Sequence, residues 1–475
     1  MRMTDYSAKK RTDMPAPPMS TPRELMKIRN VRMFIAFRVF FNARFYYPIF
    51  TILFLDFGLT IEQFAVLNAV WAASIVLFEV PSGALADIMG RRNLLVTTSL
   101  LMIAEMAVLC FVPLGDMTLV FYAFLLNRIL SGTAEAAASG ADEALAYDSL
   151  KRSRLEDNWP RVLEMQMRYQ SMGYIAAMSI GAAVYDPVLM QHAADLIGLD
   201  VVLNQQTTLR FPLYLCLLMA GLTFYTTLRM REETDRRDDC PAIEACGRSL
   251  VSATRLTLQA GRWILQTPFA LVVISAGMIM DNVIRMVVTL SSQYYRLIHL
   301  PEATYGLIGS GLALMGLFIP RLGVRFVRQV SPASNFFFLA GLTLAGLLGL
   351  TWFMPYAGLI PVAILYGVMM FLNFFLSHYL NRITDSRRRA TVLSFKGLSF
   401  NLAYGLTGLF YSGVVALERN RLRVSSPENL TGSVDDSVFM ASIHWFPWYF
   451  LVLATIFICF ALWRLKNRSE HLEIG

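Results

Sequence analysis

The sequence predicts an all-α, polytopic membrane protein with twelve transmembrane helices in two pseudo-symmetric six-helix bundles. Three observations carry this. Of the 475 residues, 56% are hydrophobic and only 16% charged, against about 25% charged in water-soluble domains. The apolar residues come in runs such as 94–112, 336–354 and 448–462, near the roughly 17–25 residues that cross a bilayer as a helix. A repeat also runs across the midpoint. "GLTIEQFAVL" at 58–67 and "HLPEATYGLI" at 299–308 each follow the first span of their half, and at this common offset of 241 Leu59 falls on Leu300, Phe64 on Tyr305 and Arg44 on Arg285.

Hydropathy and turn signals place the spans of the first half at 33–56, 62–86, 93–113, 118–146, 164–186 and 209–229. Those of the second half fall at 267–295, 302–323, 334–354, 358–381, 391–417 and 444–465. Pro301, Pro355 and Pro361 sit near span ends, where a missing N–H is best tolerated. The organisation is therefore a tail (1–30), a bundle (31–230), a linker (231–266), a second bundle (267–468) and a short tail (469–475). In the linker, "REETDRRDDC" precedes Arg248, Arg255 and Arg262, which recur every seven residues among apolar neighbours. That stripe suits an amphipathic helix on the inner membrane surface; a solvated helical tether fits the same residues.

Basic residues orient the chain, because cytosolic segments collect Lys and Arg. With the N-terminus inside, the inner segments hold 31 of the 42 Lys and Arg, while the outer loops hold only Arg210, Arg296, Arg419, Arg421 and Arg423. Both termini are expected in the cytosol. The net charge of +8 follows from this distribution and does not point to nucleic acid. The five cysteines (Cys110, Cys216, Cys240, Cys246, Cys459) match no zinc or redox spacing and the five histidines are scattered, so neither a metal site, a cofactor nor a disulfide is expected.

Between spans 2 and 3 lies "PSGALADIMGRRN", residues 81–93. Its pattern of Gly83, Leu85, Asp87, Gly90, Arg91 and Arg92 resembles the loop signature of the major facilitator superfamily. "NRILSGTAEA" in span 4, with Arg128 and Gly132, is similar to a second element of that family. The resemblance in layout covers about residues 31–468 and implies secondary transport by alternating access between two bundles. On physical grounds Gly83 should let helices approach closely and Gly90 should permit a turn with positive φ. Asp87 suits the positive N-terminal end of a neighbouring helix, which the resemblance identifies as span 11, starting near Thr391. Arg91 or Arg92 could then reach Asp142, Glu143 or Asp148 at the end of span 4. These residues would form an inner gate.

Ionisable groups deep in a span are costly and face the bundle interior. Asp281 and Arg285, spaced i, i+4, form a self-neutralising pair, either structural or opened by a substrate or proton. Arg44 has no acid one turn away and needs a partner from another helix or from the solute. Glu105 stands alone on an apolar helix, as a proton site or a structural hydrogen-bonding group. Arg128 and Glu135 share a face but lie about two turns apart. The resemblance gives the arginine of this element a part in proton coupling, which makes Glu135 the first candidate carboxylate; a helix–helix polar tie is the alternative. Asn42, Tyr46, Tyr47, Asn127 and Asn282 could orient a polar substrate, or simply pack.

Buried arginines at equivalent places in the two halves suggest a small anionic or zwitterionic solute, with protons as the coupling ion, carried by a monomer in a cell inner membrane. Span 5 lacks the proline-bearing kink of the family's drug antiporters, and spans 6 and 12 lack its sugar-carrier signature. Multidrug or metabolite efflux, and a non-transporting receptor on the same fold, are the rival readings. No enzyme motif is present. Asp87→Asn should slow solute flux while leaving membrane insertion intact; unchanged uptake kinetics in reconstituted vesicles would remove the inner-gate role.

Overall fold

The computed structural model describes residues 21–232, 254–255, 258–259, 261–383, 386–425 and 434–472. Among them the regular structure is helical, without strands. Ten helices are long and apolar enough to cross a membrane, and the pair Glu156–Tyr185 and Pro187–Leu196, bent by 83°, supplies an eleventh. The remaining crossing is the interrupted first span, in agreement with twelve.

The first half comprises span 1 (Arg29–Asn42 and Phe50–Asp56), span 2 (Ile61–Met89), span 3 (Arg91–Phe111), span 4 (Met117–Ala138, continued by Ala141–Arg152), span 5 (Trp159–Tyr185) and span 6 (Phe211–Arg229). The second comprises span 7 (Pro268–Thr289 and Ser291–Leu297), span 8 (Tyr305–Leu314 and Ile319–Gln329), span 9 (Pro332–Leu350), span 10 (Leu359–Ile383), span 11 (Ser386–Ser425) and span 12 (Trp445–Leu472, preceded by Val434–Ile443). Side-chain caps mark several starts. Thr60 and Gln63 form a capping box at span 2, and Asp116 accepts from Thr118 and Leu119 at span 4, satisfying N–H groups that a helix leaves open.

Several expectations change. Span 1 is not continuous: its helix ends at Asn42, Ala43 takes φ −78°, ψ 72°, and Pro48 enters a 3₁₀ turn at Tyr47–Ile49. Span 7 breaks at Leu290, between Thr289 and Ser291, the position 241 beyond Ile49. Interrupted helices near the membrane centre expose backbone and side chains to a cavity rather than to lipid. The segment 81–93 is also less of a loop than expected, because span 2 stays helical to Met89 and the chain turns only at Gly90, with φ +87°. Gly83 meets no described atom where a Cβ would stand, so among the described residues no helix approaches closely there. At Gly132 one does: a Cβ there would come 2.7 Å from the Trp71 carbonyl oxygen of span 2.

The repeat has a geometric counterpart. Thr51 and Ser292 are 241 positions apart, and the Thr51 N–H donates to Ser292 Oγ at 2.9 Å. Equivalent residues of the two halves touch each other, as expected near a pseudo-twofold axis. The Thr51 hydroxyl also donates to the Thr289 carbonyl at 2.6 Å.

One face of the bundle carries the start of span 1 and the end of span 12; the opposite one is called the far face. Among the described residues, hydrogen bonds between the halves lie from the bundle centre to the far face. Arg296 of span 7 donates to both oxygens of Asp56 at 2.8 and 2.7 Å and to Glu302 of its own half at 2.6 Å. Tyr185 and Gln205 also donate to Asp56. Arg419 of span 11 donates to Glu62 of span 2 at 2.5 and 2.9 Å and to Asp435 of its own half at 2.6 Å. Asp186 Oδ1 caps the helix that follows it, while its Oδ2 accepts the Ala303 N–H of the other half at 3.1 Å. Gly306 lets span 8 press against span 5, where a Cβ would fall 2.0 Å from the Met178 carbonyl oxygen.

Charge-assisted hydrogen bonds contribute about 1.5–3 kcal/mol, less where solvent screens them. Asp56→Asn should therefore shift the balance toward far-face opening by roughly tenfold. The check is maleimide labelling of Ser310→Cys, a position beside Ser179 of the other half; it should rise several-fold above the parent's background, and equal labelling would show that Asp56 does not hold this face shut.

Candidate functional site

The interrupted spans 1 and 7 flank a cavity of about 290 Å³ between the halves. Arg44, Arg128 and Arg285 all line it, together with Glu135. Each arginine is held differently. Arg44 leaves the helical ladder at the break in span 1 and pairs with Glu105 of span 3; the two are 4% and 0% exposed. Arg285 pairs with Asp281 one turn earlier on span 7, and its Nη1 donates to Asn401 Oδ1 of span 11 at 3.0 Å. Arg128 pairs with no carboxylate among the described residues. Its Nε and Nη2 donate to Asn127 Oδ1 at 3.0 and 2.7 Å, and its guanidinium lies 5.4 and 5.3 Å from the Phe50 and Phe54 ring centroids. Asn127 Nδ2 in turn donates to the Glu105 carbonyl at 2.9 Å, so Asn127 fixes the guanidinium and ties span 4 to span 3.

These placements sort the expected site residues. Arg44, Tyr46, Arg128, Glu135 and Arg285 line the cavity. Glu105, Asn127 and Asp281 stand directly behind, neutralising or orienting the arginines. Asn42 instead donates to the Arg38 carbonyl at 2.8 Å. Asn282 is buried outside the lining, its Oδ1 without a hydrogen-bond donor. Arg44 and Glu105 are each other's partner, across 61 positions. Glu135 keeps its side chain exposed to the cavity, and no ion pair joins it to Arg128.

One of the expected contacts at the end of span 4 forms, and the other gate residues take different partners. Arg91 pairs with Asp148, but Arg92 reaches no acid at the end of span 4. It donates to the Met230 and Leu228 carbonyls at 2.9 and 3.2 Å, capping span 6 where unpaired carbonyls favour a cation. Asp142 and Glu143 are taken by Arg38, with oxygens at 3.0 Å from its Nη2. These contacts brace the first half internally. The Asp87 side chain, and those of residues 386–391, lie outside the described residues. In the linker, Arg248, Cys240 and Cys246 also lie outside them; residues 261–266 are helical, Arg255 and Arg262 are exposed, and Gly261 packs on Phe395 of span 11.

Nothing in the sequence pattern singled out Trp71, Tyr174, Tyr295, Tyr366 or Tyr404, which also line the cavity. A tyrosine on an apolar helix looks the same whether it faces core, lipid or cavity. Asp56, Glu62 and Asp186 were likewise unmarked, because acids beside an outer loop read as solvated. Their signal was weak but present: the predicted outer loops are nearly free of basic residues, yet Arg296 and Arg419 stand there.

The family model for the Major Facilitator Superfamily matches residues 32–408. No curated protein sequence matches the chain. Among solved structures, a bacterial homologue of the human lysosomal transporter Spinster, inward-facing and unoccupied, is similar at TM-score 0.68 and 14% identity, covering 94% of this chain and 99% of that one. The nucleoside transporter NupG is similar at TM-score 0.64 and 14% identity, covering 92% and 98%. A D-xylose–proton symporter follows at 0.57 and 12%, covering 90% and 97%. At these identities the structural likeness speaks to the fold alone.

Removing one member of a buried ion pair leaves an uncompensated charge and costs about 3–5 kcal/mol. Glu105→Gln should therefore lower the thermal midpoint in detergent clearly, and Arg44→Met with Glu105→Leu should recover much of the loss. A double variant no more stable than Glu105→Gln would show that the pair is not the reason both charges are tolerated.

Proposed function

The chain belongs to the Major Facilitator Superfamily and is a membrane transporter, not an enzyme, and on that premise we propose that it is a secondary active carrier of a small organic anion, coupled to protons. The observation that carries this reading is Arg128, on the cavity wall without a carboxylate partner among the described residues. Counting the cavity arginines and the acids that line the cavity or pair with them, Arg44, Arg128 and Arg285 stand against Glu105, Asp281 and Glu135. With Glu135 ionised these six charges cancel, leaving aside Lys396 of span 11, which stands near Asp281 and Arg285. A proton on Glu135 leaves one positive charge in excess, and a bound anion restores neutrality.

The coupling has a calculable size. Arg128 and Glu135 are seven residues apart on one helix, about 10.5 Å along its axis. At an effective dielectric constant of about 20, charges at that distance interact by roughly 1.6 kcal/mol. An anion at Arg128 should then bind about tenfold more tightly when Glu135 carries a proton, and by reciprocity the anion favours that proton by the same factor. Solute and proton thus travel together. With both termini in the cytosol of a bacterial-type inner membrane, as the basic residues suggest, the closed far face is the outer one and the cavity is served from inside. The chain contains what a monomeric carrier needs, since the cavity draws on both halves of one molecule.

The test uses proteoliposomes and a panel of small carboxylates, sulfonates and phosphates. An inward proton gradient should drive accumulation of the transported anion. Glu135→Gln should abolish gradient-driven accumulation while retaining counterflow, and its anion affinity should lose the roughly tenfold dependence on pH. Arg128→Ala should abolish both activities. Wild-type accumulation by Glu135→Gln would refute the proton role, and undiminished counterflow by Arg128→Ala would refute the anion role.

A further inference from the structure

The cavity's two walls are aromatic; Tyr174 of the first half and Tyr366 of the second meet through a hydrogen bond between their hydroxyls, while the other rings face one another without stacking. The wall from the first half presents Tyr47, Phe50 and Trp71; the wall from the second presents Tyr295, Tyr305 and Tyr404. Within each wall rings pack on one another: Tyr47 on Phe50 at 6.4 Å, and Tyr295 on Tyr305 at 5.3 Å, both edge-to-face. Among the described residues no ring of one half makes a stacked or edge-to-face contact with a ring of the other. The Tyr305 hydroxyl is buried and has no hydrogen-bond partner, although its residue lines the cavity. The cationic groups are also ring-associated: Arg128 sits over Phe50 and Phe54, and Arg285 lies 5.4 Å from the Tyr404 centroid.

From this arrangement we infer that the solute is a planar aromatic acid of one or two rings. Its anionic group sits at Arg128, and its ring fills the gap between the aromatic walls of the two halves. The inference rests on the anion-carrier reading above and narrows it to a chemical class. A space of about 290 Å³ lies at the lower end of small-molecule sites, which fits one or two rings and excludes larger amphiphiles. Aromatic pairs favour centroid separations of about 4.5–7 Å, so a single inserted ring can contact both walls at once.

The ring also has a role in the transport cycle. A ligand shifts a conformational equilibrium only through a difference in affinity between the states. An aliphatic anion could satisfy Arg128 in any state. A ring clasped by both walls binds best when the halves are close, so aromatic contact across the gap is what would favour the occluded state over the open ones.

The experiment compares acids of equal charge and similar size on the purified full-length protein: benzoate and indole-3-acetate against cyclohexanecarboxylate, hexanoate and glucuronate. Thermal stabilisation is measured as a function of ligand concentration. The aromatic acids should bind at least about fivefold more tightly than the others, the size of one aromatic pairing. Tyr47→Phe should keep this preference, whereas Tyr47→Leu and Trp71→Leu should reduce the ratio toward one. Equal stabilisation by benzoate and cyclohexanecarboxylate, or a preference for glucuronate, overturns the aromatic class and leaves the anion reading standing. No stabilisation by any acid, with Arg128→Ala indistinguishable from the parent, overturns both. Because the ligand comparison is made first on the unmodified chain, a variant that fails to fold cannot rescue the inference.

Discussion

Three guanidinium groups at the centre of an apolar bundle set the terms for everything around them. An arginine cannot shed its charge in a protein, and leaving one unpaired in a low-dielectric interior is costly. The chain meets this constraint in three ways. Arg285 takes an acid from its own helix. Arg44, just past the break in span 1, takes one from span 3. Arg128 takes an amide oxygen and two aromatic rings, which hold its position without cancelling its charge. The buried carboxylates balance two of these groups, and the third stands on the cavity wall without a carboxylate partner among the described residues.

The far face solves a different problem. A carrier must close each face firmly enough to exclude leakage and loosely enough to reopen. Arg296 and Arg419 each bind one carboxylate in their own half and one in the other. When the halves separate, each arginine can retain its own-half partner, so no cation is stranded and the difference between closed and open stays moderate. The close passage of span 8 over span 5 at Gly306 adds contact that only a residue without a side chain permits. Closure is thus built from exchangeable ion pairs and close backbone packing, both of which can be undone without unfolding either half.

Inside each half the packing is meant to persist. Arg91 with Asp148, Arg38 with Asp142 and Glu143, and Arg92 on the end of span 6 all join elements of the same bundle. Gly132 brings spans 2 and 4 within backbone contact. Moving parts are therefore distinguished from rigid ones by which half supplies the partner. That division gives physical content to two bundles rocking about a central site.

Much of this was legible in the sequence because it depends on composition and period. Helices long enough to cross a bilayer need apolar runs, and the runs are there. Duplication leaves an offset, and the 241-residue interval that aligns Arg44 with Arg285 also separates Thr51 from Ser292 in their hydrogen bond. Local spacing sufficed for the Asp281–Arg285 pair, because one helical turn brings i and i+4 together whatever surrounds them.

The rest depended on which helices became neighbours. Glu105 and Arg44 are individually visible as charges that do not belong in lipid, but 61 positions separate them and no period links them. The same holds for Asp56 and Arg296, 240 positions apart, and for the tyrosines whose rings turn to the cavity rather than outward. A sequence determines what each helix face can tolerate. Only the packed structure decides which faces meet, because burial and charge pairing are properties of the space between helices.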